Sequence, residues 1–472
     1  MFTTKEILKA TDAKIREKKG NLSFSGISQN SKIIQKKELF VAIKGDRFDG
    51  HAFLREIYEK GVRGAIVQKG KVSLDAFPHM LLFEVPDTLK ALGQLAHDYR
   101  KRFSIPLIGI TGTNGKTTTK ELTAALLATR YRTFKTHGNE NNLIGLPFSL
   151  FHLTSKIKIA VLEMGMSIPF EIERLSEIAK PTWGLVTNVG EAHMATMGSK
   201  EKIARAKTAL LRALPKTGIG FINNDDGFLK PYAKKLKCKI RTFGFFDTNV
   251  DYYGKITDQK GIFGQTLMIR PKLHDAFVVQ CPLPGRHNAY NILAASAVAL
   301  EMGVTPKKIT HVLKRFQAAK GRSQIIPLKR NMTLIYDCYN ANPSSMREAL
   351  DLLSKSDVSS FERTVKIAVL GDMLELGKKS KQYHEDIGVF AAKQGIDYIL
   401  TCGQFSQYIF KQAQRKNKEV KVFFSQQQEG VSARLMRILS SQKNAVVLVK
   451  ASRGMYMERI VDKIIANFGR NN

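Results

Sequence analysis

Residues Ile105–Arg130, IPLIGITGTNGKTTTKELTAALLATR, run from an apolar stretch through a glycine-rich turn into a helical pattern. Strand before and helix after is the setting a phosphate-binding loop requires. In GTNGKTT, Gly112 and Gly115 let the backbone turn its N–H groups toward an anion, with Thr113, Asn114 and Thr118 completing the loop. The amino end of the following helix adds a favourable dipole. Lys116 would reach the β- and γ-phosphates of a nucleotide, and the Thr117 hydroxyl would sit on Mg²⁺. The longer pattern asks for glycine five positions before Gly115, where this chain has Ile110, so the loop is the short form GxxGKT. A glycine turn of purely structural use is the rival reading, and it leaves Lys116-Thr117 in that register unexplained.

The elements that must hold this loop fall into three segments. Up to about Tyr99 short strands and helices mix, ending in the helical stretch DTLKALGQLAHDYRKRF. From Ile105 to about Phe316 the apolar runs PLIGI, KIAVLEM, WGLVTNV and GIGFIN each lead into a polar loop. That rhythm predicts a parallel sheet with ligands at the carboxyl ends of its strands. After FQAAKGRSQ the alternation restarts with MTLIYD, KIAVLGD, DYILTCG and AVVLVKA, as in a second doubly wound unit. The expected class is α/β in three domains: a mixed α/β unit at 1–100, a central P-loop parallel-sheet unit at 101–317 and a Rossmann-like unit at 318–472.

Composition narrows the function. A chain of 472 residues, 43% hydrophobic and 25% charged, reads as a soluble globular enzyme rather than a fibrous or disordered protein. Met1 to Gly20 is charged throughout, unlike a signal peptide, and no apolar run reaches the ~20 residues of a membrane span. The four cysteines, Cys238, Cys281, Cys338 and Cys402, are scattered without zinc spacing, which fits a reducing cytoplasm. Net charge is +34, a balance that raises nucleic acid as a partner. The lysines are dispersed, however, and no aromatic-interleaved basic motif accompanies them, so no nucleic-acid binding is expected.

Beyond the phosphate loop come THGNENNLIGLP, LEMGM, TNVGEAHMATMGS, ARAK, LPGRHNAYN, GRSQ, YDCYNANPSS, LGDMLELG and VKASRGMYME. In this order, from about Ile27 to Glu458, they resemble the Mur ligases of peptidoglycan synthesis. The resemblance implies a cytoplasmic, monomeric ligase of cell-wall biogenesis, and so of cell shape and division. Such a ligase uses ATP to phosphorylate a carboxylate, and an amine then attacks the acyl phosphate. LFVAIKGDRFDGHAF, YNANP and LGDMLELG point to D-alanyl-D-alanine as the amine and UDP-N-acetylmuramoyl-tripeptide as the acid. The domain at 1–100 would then hold the UDP-sugar, the one at 101–317 ATP, and the one at 318–472 the amine.

The same resemblance assigns residues. Glu163 would hold Mg²⁺ with Thr117, and His193 would ligate a second Mg²⁺. Lys207, fourteen positions after His193, matches a lysine carbamoylated by CO₂, whose oxygens suit that hard cation better than an ammonium would. Asn288 and Asn291 would offer amides to the adenine, with a helix cap at Asn288 as the plainer reading. Arg322 would reach the phosphates and Asp337 the ribose. Asn340, Asn342, Lys450, Ser452 and Arg453 would face the dipeptide, and Ser31, Lys44, Gly45, Asp49, Gly50 and His51 would hold the UDP-sugar. Lys116, Glu163, His193 and Lys207 form the expected catalytic set.

The chain departs from the family pattern in places. It has Asn30-Ser31-Lys32 where Asp-Ser-Arg is common, and lysine lacks the guanidinium fork. Tyr336 replaces a frequent Asp, Ala451 a frequent Gly, and Ala209 a frequent Glu near Lys207. Alternatives at this stage are a diamino-acid-adding Mur ligase or a folylpolyglutamate synthetase, a nucleic-acid-stimulated ATPase, and an inactive relative.

Overall fold

Three larger sheets follow one another along the chain. In this computed structural model the described residues are 1–15, 21–45, 48–73, 76–357 and 363–470. Asp46 and Arg47 of the KGDRFDG motif lie outside them. The first sheet has four parallel strands in sequence order, Gly26–Ser28, Glu38–Val41, Gly64–Gln68 and Leu81–Val85. The helix Thr88–Arg100 leaves it, capped by Asp87, whose carboxylate accepts from the Leu89 and Lys90 N–H groups. Its apolar face, with Leu92 and Leu95, shares one core with Leu107, Leu175 and Ile178 of the next segment. The buried Arg100 guanidinium ties the same helix to the Ala179 and Ile105 carbonyls.

The second sheet has nine strands. Strand β1 (Leu107–Thr111) leads through the glycine turn into helix α1 (Lys116–Leu127). It lies between β2 (Ile159–Glu163) and β3 (Trp183–Val186), all parallel, with Ile110 opposite Glu163 and Thr111 opposite Val186. Every residue of β1 and β2 is buried, because helices cover both faces. Ile108, Ile110 and Val161 meet Leu122, Leu126, Ile292 and Leu293 on one side, whereas Ala160 and Leu162 meet Ile172 and Leu210 on the other. Beyond β3 come the short helix α2 (Met194–Met197) and α3 (Lys200–Lys207). Later α4 (Arg286–Glu301) packs beside α1.

The parallel pattern does not continue to the end of this segment. Tyr252–Gln259, Gln265–Pro271 and Phe277–Cys281 form an antiparallel meander at the sheet edge. The reason is legible in burial: Leu267, Ile269, Val279 and Cys281 face the core, and Arg270, Val278 and Gln280 face solvent. One dry face and one wet face is the signature of an antiparallel edge.

The third sheet has six strands. β4 (Met332–Tyr336) and β5 (Val365–Gly371) flank β6 (Ala445–Lys450), all parallel, with an antiparallel edge strand at Gln324–Pro327. Helix α5 (Pro343–Ser354) follows β4 and begins with Asn342 as its cap. A strand inserted from late in the chain creates a switch point at the carboxyl ends of β4 and β6, where ligand crevices form in such sheets.

Candidate functional site

The carboxyl ends of the second and third sheets face each other across a cleft. Thr113, Asn114, Gly115, Lys116, Thr117, Thr118, Glu163, His193, Asn288, Asn291, Arg322, Asp337, Asn340, Asn342 and Lys450 all line it. The short glycine turn is thus brought together with residues more than two hundred positions away.

The turn is held from outside. The Thr113 N–H donates to the Asn188 carbonyl and the Asn114 N–H to the Asn188 side chain, both at 2.9 Å. The Thr187 hydroxyl donates to the Asn114 carbonyl at 2.6 Å. A Cβ on Gly112 would collide with that hydroxyl, and Gly115 has a left-handed φ of 79° with Asn291 pressed against it. Both glycines are therefore required where they stand. The Lys116 ammonium donates to the Gly112 and Thr113 carbonyls at 3.0 and 3.1 Å. Burial lowers its pKa, Glu163 opposes that shift, and Arg322 reinforces it.

Glu163 ends β2 with its backbone N–H on the Thr136 hydroxyl. Asn141 donates to its Oε1 at 2.7 Å, while Oε2 is buried without a hydrogen-bond partner. Asn141 is itself steadied, because fully buried Lys120 anchors the loop before it through the Thr136 and Gly138 carbonyls. Among the described residues no group of three or more His, Cys, Asp or Glu is placed to hold a metal. One carboxylate with a free oxygen, in a cleft that the Thr117 side of the loop also lines, suits Mg²⁺ bound largely through a nucleotide's own phosphates.

Lys207, at the end of α3, is 2% exposed. Burial and the charge of Lys116 push its pKa well below the ordinary lysine value. No carboxylate contributes to that shift, and Ala209 packs in the apolar core with Ala206 and Leu210. A neutral amine is the form that can add to CO₂, so the environment fits a carbamate.

The third unit reaches the loop directly. Arg322 donates to the Thr117 hydroxyl at 3.1 Å and lies 3.8 Å over the Tyr339 ring. The Asn342 amide donates to the Asn114 side chain at 2.7 Å, and Asn114 donates to the Ser344 hydroxyl at 2.8 Å. Asn342, expected on the dipeptide, thus also grips the phosphate loop.

Other expected contacts are differently committed. Asn288 and Asn291 bond to each other at 3.1 Å, and their remaining partners are the Pro284 carbonyl and the Thr119 hydroxyl. The helix starts at Arg286, so Asn288 is in its first turn and not its cap. Asp337 accepts from the Ser323 N–H and pairs with buried Lys450 at 2.6 Å. Ser452 joins the loops of YNANP and LGDMLELG through the Ala341 carbonyl and the Leu374 N–H. Arg453 is paired with Glu458 at 3.0 Å.

The first-segment residues do not line this cleft. His51 has both ring nitrogens engaged, by Asp49 and by the Gln68 N–H, and so shapes its own loop. Ser31 donates to Glu56, Lys44 and Asp49 face each other in an antiparallel backbone β-bridge, the Gly45 N–H donates to the Phe48 carbonyl, and a Cβ on Gly50 would strike Ile43.

Residues that motif reading missed also line the cleft: Asn141, His287, Tyr339 and Glu348. Burial raises the Glu348 carboxyl above its ordinary pKa, against the pull of His287 and Lys450. The quoted motifs THGNENNLIGLP, GRHNAYN and YNANP contain or adjoin the first three, whereas nothing in the local pattern marks Glu348.

Comparison with known proteins places this geometry. Residues 110–299 match the Mur ligase middle domain, and 321–453 match the Mur ligase, glutamate ligase domain. The chain is 34% identical to the UDP-N-acetylmuramoyl-tripeptide–D-alanyl-D-alanine ligase of Bacillus subtilis (strain 168), over 93% of each chain. It is 33% identical to the protein so named in Escherichia coli (strain K12), over 91% of each. The crystal structure of MurF from Acinetobacter baumannii superposes with a TM-score of 0.87 at 29% identity, covering 98% of this chain and 99% of that one. MurF ligase from Thermotoga maritima in complex with ADP gives 0.80 at 28% identity, covering 93% and 96%.

Proposed function

Because the chain belongs to the Mur ligase family, we propose that it uses ATP to join UDP-N-acetylmuramoyl-tripeptide to D-alanyl-D-alanine, a step in peptidoglycan precursor synthesis. The observation that carries the reading is the cleft itself. A phosphate loop, a half-satisfied carboxylate and a docked cationic third unit face one space. We assign the domains to residues 1–100, 101–317 and 318–472, holding UDP-sugar, ATP and dipeptide respectively.

The chemistry must bring two anions, a carboxylate and a polyphosphate, into contact. The loop N–H groups and Lys116 hold the phosphates, and Arg322 adds a second cation from across the cleft. The substrate carboxylate attacks the γ-phosphorus, and ADP leaves. The dipeptide amine then adds to the acyl carbon, and phosphate departs with one former carboxylate oxygen. Glu163 and Thr117 would hold one Mg²⁺, and His193 with carbamoylated Lys207 would hold another. When bound, these ions neutralise charge on the phosphates and the carboxylate. Without carbamoylation Lys207 would be a buried amine beside Lys116, with no oxygen to offer a hard cation. Asn340, Asn342, Lys450, Ser452 and Arg453 form the side from which the dipeptide amine arrives.

No helix among the described residues is long and apolar enough to cross a membrane. All four thiols are free and buried, which supports a location in a reducing cytoplasm. Release of ADP should require the UDP-tripeptide and be stimulated by D-alanyl-D-alanine. Equal stimulation by diaminopimelate, lysine or glutamate, or by a polynucleotide, would instead favour the other readings.

A further inference from the structure

The loop after β5 is built as a rigid arm. Asp372 accepts from the Phe405 and Ser406 N–H groups, the Met373 N–H donates to buried His384, and the Leu374 N–H donates to Ser452. At its tip the arm meets the second unit just before α2. His193 Nδ1 and Glu375 Oε2 lie 2.7 Å apart. The Ala195 N–H donates to the Glu375 carbonyl at 3.4 Å. A Cβ on Gly377 would stand 3.0 Å from the Ala195 Cα, so the two backbones abut.

Two non-glycine residues here hold left-handed backbone, His193 at φ 54° and Glu375 at φ 64°. Such conformations persist where the surroundings over-determine them, and they gather at sites where geometry matters. Nothing in the sequence pattern links residues so far apart.

We infer that Glu375 is a positioning residue for His193, acting across the interface between the second and third units. Accepting the Nδ1 proton fixes the neutral ring in one tautomer, and it leaves the Nε2 lone pair as the free donor of a residue that lines the cleft. A carboxylate behind an imidazole also raises its basicity as a ligand. Because Glu375 belongs to the third unit, His193 is set for its role only while that unit is docked. The inference deepens the functional reading above, in which His193 holds a metal, and rests on it in that respect.

Two measurements on the full chain test it. The first is the ¹⁵N spectrum of histidine-labelled protein, with the His193→Asn variant identifying the resonance. The parent should show Nδ1 protonated and Nε2 bare. Glu375→Gln keeps an oxygen acceptor and should keep that tautomer, whereas Glu375→Ala should lose it. A parent spectrum with Nε2 protonated overturns the inference whatever the variants do. The second is Mn²⁺ titration by electron paramagnetic resonance with a non-hydrolysable ATP analogue. Glu375→Ala should weaken one Mn²⁺ site about 10- to 100-fold, and Glu375→Gln by less. Parent-like Mn²⁺ affinity and an unchanged tautomer in Glu375→Ala would refute the positioning role. Absence of dipeptide-dependent ADP release by the parent would refute the functional reading, and the tautomer result would be unaffected by it.

Discussion

The Lys450–Asp337 pair binds the carboxyl ends of β6 and β4 at the cleft floor. Lys450 is 2% exposed and Asp337 9%, with 2.6 Å between Nζ and Oδ2. The Lys450 ammonium has one other acceptor, the Asn340 carbonyl at 3.2 Å, and Asp337 has one other donor, the Ser323 N–H at 3.0 Å. Lys450→Met therefore leaves a buried carboxylate with a single hydrogen bond, and Asp337→Leu strands a buried ammonium in the same way. Removing one member of a buried pair costs about 3–5 kcal/mol, whereas replacing both by apolar groups is often close to neutral. For a unit of about 150 residues, each kcal/mol moves the melting temperature by about 2–4 °C. Each single variant should thus lower the transition of the third unit by about 6–20 °C, and the double variant by clearly less than the sum. Differential scanning calorimetry on all four proteins reads this out. Single variants that melt within ~2 °C of the parent, or a double variant showing the full sum, would refute the claim that the two charges neutralise each other.

Lys116→Ala should cut ADP formation by about 10³–10⁵-fold with the fold retained, since it deletes a charge aimed at the transferring phosphoryl. Circular dichroism and turnover together check this. Lys207→Ala should be nearly inactive in CO₂-equilibrated buffer and partly restored by acetate, whereas normal turnover in CO₂-depleted buffer would count against a carbamate. In CO₂-free buffer the depressed Lys207 amine binds a proton less tightly than in the unfolded chain, whose value is near the ordinary 10.5. Its contribution is therefore unfavourable below that value and shrinks as pH rises. Parent stability should climb as pH rises toward about 10, less steeply in Lys207→Ala. Since Arg322 and Asn342 span the cleft, ATP with the UDP-sugar should compact the molecule in X-ray scattering, and unchanged profiles would contradict closure.

Sequence reading reached what is local. The glycine turn between strand and helix, Glu163 at the tip of its strand and the apolar runs of the parallel strands are set by a few consecutive residues, and each was legible. What escaped is set by contacts between distant segments. Asn141 fixes Glu163 across 22 positions, and no spacing rule announces such a bond. Asn114 and Asn342 pair across 228 positions, so a residue expected on the dipeptide is a loop support as well. The amides of Asn288 and Asn291 share a helix face as expected, yet that proximity lets them satisfy each other. His51 has the residue type of a ligand contact, but Asp49 and the Gln68 N–H already use both nitrogens. The antiparallel edge was missed because the apolar runs before it suggested a continuing parallel sheet, and because LMI and FVV are continuously apolar, so that only burial alternates with period two along Gln265–Pro271 and Phe277–Cys281.

If the cleft activates a carboxylate as an acyl phosphate before the amine attacks, one carboxylate oxygen must leave with the phosphate, and that oxygen can be followed. UDP-N-acetylmuramoyl-tripeptide carrying ¹⁸O in its reacting carboxylate is turned over with ATP and D-alanyl-D-alanine, and the released phosphate is examined by mass spectrometry. One ¹⁸O atom per turnover should appear in inorganic phosphate, and the product should gain the mass of the dipeptide less one water. Phosphate free of label alongside amide formation would contradict it.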